Sequence, residues 1–389
     1  MKLIKGTPNK KIIIVILIPF IIALLALSLI VFLFIQSYIN KMNLVERENI
    51  SSHDETHCAE GIDINDKSSI LLDKSVQDQI IDEVLEDEDV YDSSIVDASR
   101  EEIDLLAEKL RANMEENQTP IMEDKDVLNI LLIGSDTRKA GGNGRSDAMI
   151  IVSINKKTKT ITATSVLRDI YLQIPGKKNN RLNAAYVFGG ADLLMETIEQ
   201  NLRIELNRYA SVDFYAFIDV IDELGGITLE VTENEIAVIN NYVTEINYLI
   251  GEELTLDHLL EPGLLMLNSK QALGYARNRY IGNSDFERTA RQRRVLEQIF
   301  SGVKDLNLIE LNDLVNILLP QVTTNLTKGE IFSLILGLPS YANYDLQQWR
   351  IPIDGSYSNM RIGGMAVLGV DFQSNIDEIE RRIYGEINN

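Results

Sequence analysis

Ile12 to Ile35 is an uninterrupted stretch without a single charged side chain. As a helix rising about 1.5 Å per residue it can cross a hydrocarbon layer of about 30 Å. Pro19 falls in its first half, and proline is tolerated in membrane helices. Lys2, Lys5, Lys10 and Lys11 precede it. Positive charge tends to stay on the cytoplasmic side. The pattern predicts a single-pass anchor at the cell membrane, with residues 1–11 cytoplasmic, 12–35 transmembrane and the rest outside. A cleaved signal peptide is the alternative. Its apolar core would be shorter and would end in small residues, whereas this run ends in Phe-Ile-Gln-Ser-Tyr-Ile.

Residues 36–125 read as an acidic linker. The run Glu86-Asp87-Glu88-Asp89 and the surrounding serines and aspartates favour solvation over packing. Two short helices fit within it, near 76–85 and 100–114. In the second, Ile103, Leu106, Ala107 and Leu110 share one helical face. Cys58 is the only cysteine, so no internal disulfide can form. His53, His57 and Cys58 are either a partial metal set or part of a solvated tether. A formal net charge of -22 repels phosphate backbones and argues against nucleic acid as a partner.

A folded domain is expected over 126–304. Val127–Ile133, Ala148–Ile154, Thr160–Leu167 and Ile227–Val231 read as strands, and Ala191–Leu202 and the segment after Val212 as helices. Asn268 is placed to cap a helix reaching Arg277, and Ser284 with Glu287 has capping-box spacing. Residues 305–389 add helices near 308–319, 328–336 and 374–384 and a strand near 348–352, as an extension packed on the domain or appended to it. The expectation is an α/β (mixed α+β) fold: a central mixed sheet flanked by helices, preceded by the transmembrane helix.

His258 is the one histidine beyond the linker. It has no serine in an elbow context, so a Ser–His–Asp site is not indicated. The glycine-rich segment Gly134–Gly144 lacks the Gly-Lys-Ser/Thr of a nucleotide loop. What remains is carboxylates and arginines. Asp136 follows one strand and Asp147 begins the next, with Arg138 and Arg145 in the loop between. The two aspartates suit Mg²⁺ (or Mn²⁺) with phosphate oxygens, or are simply turn residues. Arg168-Asp169 stands at another strand end. Arg277 and Arg279 leave a helix, and Arg288, Arg291 and Gln292 share one helical face. Guanidinium forks suit phosphate. The same spacing also fits a solvated face paired to Asp285, Glu287 and Glu297.

These residues together resemble the LytR–CpsA–Psr family. The resemblance is carried by Asn129-Ile-Leu-Leu-Ile-Gly-Ser-Asp136 with Gly144-Arg145-Ser146-Asp147, and by Arg168-Asp169. It continues through Asn183-Ala with Gly189-Gly190 and Val212-Asp213-Phe214 to Gly225-Gly226. It closes on Tyr275-Ala-Arg277-Asn-Arg279, Asp285, Arg288 and Arg291-Gln292. It spans about 127–300. It implies a membrane-anchored, Mg-dependent phosphotransferase that moves a glycan from a polyprenyl pyrophosphate lipid to a peptidoglycan hydroxyl. On this resemblance Asp136, Asp147, Arg168 and Arg277 are catalytic, with both aspartates on the metal and Asp136 preferred as base. Arg145, Arg168, Arg277, Arg279, Arg288, Arg291 and Gln292 would contact the pyrophosphate, with Asn183 bracing them. Two other readings stay open: a lipid-binding regulatory protein of the transcriptional-attenuator kind, and a pyrophosphatase on the same lipid. Ser165-Val-Leu before Arg168 departs from the family's frequent Ser-Ile-Pro.

Overall fold

The computed structural model describes residues 43–44, 97–116, 119–135, 146–282 and 284–385. Thirteen strands and nine α-helices are described. The strands are β1 (Asn43–Leu44), β2 (Val127–Ser135), β3 (Ser146–Asn155), β4 (Thr160–Val166), β5 (Tyr171–Leu172), β6 (Asn180–Arg181), β7 (Tyr209–Val212), β8 (Ile227–Val231), β9 (Gly263–Leu267), β10 (Thr323–Thr324), β11 (Asp345–Ile351), β12 (Tyr357–Ile362) and β13 (Met365–Val370). The helices are α1 (Arg100–Arg111), α2 (Leu182–Leu202), α3 (Phe214–Glu223), α4 (Glu233–Ile250), α5 (Ser269–Arg277), α6 (Ser284–Asp305), α7 (Leu308–Leu318), α8 (Lys328–Tyr341) and α9 (Phe372–Ile379).

Seven strands form one mixed sheet in the order β1-β10-β7-β2-β3-β4-β11. Pairing is parallel for β2 with β7 and for β4 with β11, and antiparallel for β3 with both β2 and β4. The ends of β2, β4 and β7 therefore point the same way, and Arg168 follows β4 at that end. The expected mixed sheet flanked by helices is what the chain adopts. No helix among the described residues is long and apolar enough to cross a membrane. The apolar run Ile12–Ile35 lies outside the described residues, as do the 76–85 stretch, His53, His57 and Cys58.

The two sheet faces are packed differently. On one face, Leu131, Ile133, Met149, Ile151 and Val166 join α2 and α9 in a single large core with Leu194, Ile198, Ile376 and Ile379. On the other, the described buried apolar residues fall into two small clusters. One holds Ile130 with Leu326 and Ile331, the other Ile154 with Ile161 and Tyr341. A third core, built from β8, β9, α4 and α5, includes Leu229, Ile239, Val243 and Tyr275.

Both ends of the expected domain move. Helix α1, which the sequence reading left in the 36–125 linker, belongs to the fold. Ser99 and Glu102 close a capping box at its start, and Leu106 and Leu110 enter the main core. Residues 305–389 are integral rather than appended, since β11 extends the central sheet and α9 fills its core. Asn129 in the middle of β2 donates to the Tyr384 hydroxyl at 3.0 Å, and that hydroxyl donates to the Met122 carbonyl at 2.8 Å. The C-terminal segment thus satisfies a polar side chain within a central strand, where an orphan would be costly.

The pattern missed α4, β9 and the β12–β13 hairpin. Helix α4 is rich in asparagine and β-branched residues, which are weak helix formers. Its capping box of Thr232 and Glu235 was the available signal. Gly363-Gly364, both at positive φ, is a hairpin turn signature. Helix α2 begins nine residues before the expected Ala191 because it is two helices joined at Gly189-Gly190, with Gly190 at φ 65°. Leu110→Ala is expected to destabilise the protein by about 2–5 kcal/mol. Leu105→Ala, on the exposed face of the same helix, is expected to change stability by less than about 0.5 kcal/mol. Chemical denaturation of the two variants checks this.

Candidate functional site: a buried arginine–carboxylate cluster at the sheet end

Arg168 is the residue around which the site is built. Its backbone is held on three sides just past β4. Leu167 N–H donates to the Ile351 carbonyl at 3.0 Å, the Asp169 carbonyl accepts from Leu368 at 2.8 Å, and the Arg168 carbonyl accepts from Asn183 at 3.3 Å. The strands β11 and β13 and the start of α2 therefore fix where this side chain leaves the backbone. Asn183 is itself buried.

The Arg168 guanidinium lies between two carboxylates. Its Nε is 3.6 Å from Asp285 Oδ1 and 3.7 Å from Asp169 Oδ1. Asp285 stands in the first turn of α6, where a negative charge also meets the helix dipole favourably. It pairs with Arg288 one turn on. Asp169 is 3.5 Å from Arg181 Nη1 at the start of α2. Three guanidinium groups thus face two carboxylates in a largely buried site. Burial first, and the Asp285 charge second, raise the Asp169 carboxyl from 3.8 to about 6 against the pull of Arg168, Arg181 and Arg288. Among the described residues, Arg288 Nε and Gln292 Oε1 are buried without a hydrogen-bond partner. An unpaired buried donor such as Arg288 Nε next to excess positive charge is a group that an anion can satisfy.

Arg291 behaves differently. Its Nε donates to Glu235 Oε1 at 2.7 Å, Nη1 to the Asn278 carbonyl at 2.9 Å and Nη2 to the Ile281 carbonyl at 2.9 Å. All three nitrogens are spent on protein, so this side chain is a strut between α4, α6 and the loop 278–282. Burial acts to raise Glu235, but hydrogen bonds from Thr232 and Arg291 outweigh it and leave the carboxyl below its ordinary value. The strut brings the loop that follows α5 beside the helix that carries Arg288. Arg277 and Arg279 flank Asn278 in that loop. Arg277 Nη1 is 3.5 Å from Glu245 Oε2, with the guanidinium 4.6 Å from the Tyr242 ring centre. Arg279 lies 5.5 Å from the Tyr280 ring centre.

The structure therefore gathers Arg168, Arg288, Gln292 and Asn183 at one sheet end and ties the Arg277–Arg279 loop to the same helix. The alternative of a solvated arginine face does not hold for Arg288 and Arg291, which are 4% and 3% exposed. Asp136 and Arg145 lie outside the described residues. Asp147 sits in β3 next to Ser146, which pairs with Ser135 across a bulge at Gly134/Ser135. Among the described residues no group of three His, Cys, Asp or Glu is placed to hold a metal. Asp169, Asp285 and Arg181 were not singled out as site residues from sequence. The adjacency of Asp169 to Arg168, and the i, i+3 spacing of Asp285 and Arg288, were the signals.

Fold and site together define a mixed α/β protein with a buried arginine–carboxylate cluster at the end of its sheet. The chain belongs to the LytR_cpsA_psr family, whose pattern it matches over residues 94–382. It is 30% identical to the polyisoprenyl-teichoic acid–peptidoglycan teichoic acid transferase TagU of Bacillus licheniformis, over 73% of this chain and 85% of that one. It is 33% identical to the regulatory protein MsrR of Staphylococcus aureus, over 62% of this chain and 69% of that one. The solved structure of TagT bound to LI-WTA superposes with a TM-score of 0.54 at 25% identity. That match covers 72% of this chain and 98% of the other.

Two outcomes follow from the geometry. Arg291→Ala strands Glu235 without its partner and is expected to cost about 3–5 kcal/mol in denaturant unfolding. The raised Asp169 carboxyl takes up a proton in the native state between about pH 4 and 6, so its contribution to stability falls as pH rises through that window. The same proton leaves the cluster more positive. Asp169→Asn is expected to bind inorganic pyrophosphate more tightly than the wild type at pH 7 and to lose that advantage at pH 5, as measured by calorimetric titration at both pH values.

Proposed function

We propose that this chain is a membrane-anchored phosphotransferase, which moves a glycan from a polyprenyl pyrophosphate lipid to a hydroxyl of peptidoglycan. The observation that carries the reading is the Arg168–Asp285–Arg288 cluster, with unpartnered polar atoms on Arg288 and Gln292. The name of the relative TagU, a polyisoprenyl-teichoic acid–peptidoglycan transferase, supplies the chemistry that such a site suits.

In this reading Arg168 and Arg288 bind the diphosphate, with Arg277 and Arg279 closing from the loop and Gln292 orienting an oxygen. A peptidoglycan hydroxyl attacks the phosphorus that bears the glycan. The P–O bond to the prenyl phosphate breaks, prenyl phosphate leaves, and a phosphodiester remains. Such transfer needs positioning and charge stabilisation rather than a covalent nucleophile. Asp285 and Asp169 keep the guanidinium groups aimed while the ligand is absent. Asp136 would take the proton of the attacking hydroxyl.

Asp136 and Asp147 would hold Mg²⁺. Two carboxylates with phosphate oxygens suit one such hard cation. When bound, the ion would neutralise charge on the diphosphate oxygens. The prenyl chain would lie under α6 and α8, where the sheet face carries two small apolar clusters instead of one continuous core.

The anchor fits this arrangement. Strand β1 runs parallel to β10, which is antiparallel to β7. The chain therefore enters the sheet at Asn43 from the same end that carries Arg168. Only residues 36–42 separate Asn43 from the apolar run, a reach of at most about 28 Å at roughly 3.5 Å per residue. The site end of the sheet would thus face the membrane that holds the lipid.

A regulatory role without turnover is the second reading, favoured by the name of MsrR. Transfer of a labelled lipid-linked glycan onto peptidoglycan separates the two. Arg288→Ala and Asp136→Ala are expected to lower turnover by about 100-fold or more, the scale of losing one charge-stabilising group. Wild-type protein that binds the lipid but releases no prenyl phosphate would support the regulatory reading instead. Label recovered as free glycan rather than on the wall would make water the acceptor.

A further inference from the structure

We infer that Arg293 and Arg350, at the seam between α6 and the edge strand β11, bind a second phosphate, one carried further along the donor glycan than the reacting diphosphate. The inference rests on the reading of the diphosphate site above and adds a subsite to it.

Strand β11 is the last strand of the sheet, and α6 runs beside it. Two contacts fix the alignment. The Arg350 guanidinium lies 4.5 Å from the centre of the Phe286 ring, and Gln348 Nε2 donates to Glu297 Oε2 at 3.0 Å. Arg293 is seven residues after Phe286 and four before Glu297, so all three share one helical face. Arg293 is therefore bracketed between those contacts, against β11.

Its position is electrostatically unfavourable as it stands. Arg293 Nη1 is buried and has no hydrogen-bond partner among the described residues. Burial first, then the Arg350 and Arg294 charges, lower its pKa to about 10, and only Glu287 opposes them. The group still carries its charge at neutral pH. Arg350 is held from behind by the stacked pair Phe286 and Tyr357, whose ring centres are 4.8 Å apart. Its Nη1 donates to the Pro352 carbonyl and its Nη2 to Asp354, whose carboxylate is 90% exposed, so solvent screens that pair heavily. Arg293 thus sits near the Arg350 charge, with no buried carboxylate among the described residues to balance the two. A buried cation without a partner is costly, and the planar fork of arginine matches a phosphate better than a point cation does.

The two places share helix α6. Arg288 and Arg293 lie five residues apart, about 7.5 Å along the axis. They project from different sides, Arg288 toward Arg168 and Arg293 toward β11. A glycan leaving the diphosphate along the sheet edge would carry its next anionic substituent past Arg293 and Arg350.

Two synthetic polyprenyl pyrophosphate glycans test this, identical except for one phosphate monoester on the sugar of the second. Affinities are measured for the full chain in detergent without peptidoglycan, so the readout does not depend on turnover. The wild type is expected to bind the phosphorylated lipid about tenfold more tightly, and Arg293→Gln and Arg350→Gln to erase that preference. Affinity for the plain lipid is expected to stay unchanged in both, and Arg293→Lys to keep part of the preference. Thermal melting confirms that the variants are folded. Equal affinity of the wild type for both lipids would overturn the subsite. So would a preference that survives Arg293→Gln, or a loss that is the same for both lipids and marks a merely structural role. A wild type that binds neither lipid would overturn the diphosphate reading and the subsite together.

Discussion

The carboxylate of Asp285, lying between Arg168 and Arg288, joins the end of the sheet to the helix that lies across it. Without it two buried guanidinium groups would face each other directly, and burial of like charges without a counter-ion is prohibitive. With it, α6 starts in one place relative to β4. That placement sets the rest of α6, including the Arg291 strut to Glu235 and the loop that carries Arg277 and Arg279. The three packed cores meet around this element, so a single buried ion-pair network registers the β8–β9 unit against the central sheet.

The same network explains why the C-terminal residues belong to the site. Strand β11 supplies the carbonyl that bonds Leu167, and β13 supplies the N–H that bonds Asp169. Arg168 is held between these two bonds. A guanidinium on a long, flexible side chain gains little from charge alone unless its origin is fixed, because ordering it costs side-chain entropy. The last 85 residues therefore act on the chemistry by fixing a backbone, with no catalytic side chain of their own required.

Much of this was legible in the sequence, for identifiable reasons. Strands β2 and β3 are largely apolar runs bounded by turn residues, β4 is a buried strand rich in threonine, and β8 alternates cleanly. The arginines stood out because so little else in the folded part carries chemistry. What the sequence could not convey was pairing. Nothing local to Arg291 distinguishes a strut from a phosphate ligand. Its role is set by Glu235, fifty-six residues earlier, on a helix that its own asparagines disguise. Asp169 and Asp285 read as ordinary counter-charges until the fold brings both against Arg168. Helix α1 was taken as linker because the acidic stretch before it sets the local composition, while Leu106 and Leu110 find their partners only in three dimensions.

The chain has a formal net charge of -22, at odds with the doubly charged phosphate ligand proposed for its arginine cluster. Screening resolves the conflict. At physiological salt an exposed charge is felt over roughly 8 Å, so the acidic surface scarcely reaches a cluster whose members are mostly buried. Inside, each guanidinium acts in a medium where charge interactions are several times stronger than in water. Long-range attraction is therefore not how such a ligand arrives. A lipid-borne diphosphate would be presented by the membrane it sits in, and the site need only recognise it at contact. The surface charge would then be free to serve solubility and to discourage other polyanions, while selectivity for phosphate would reside in a few desolvated forks held by Asp285.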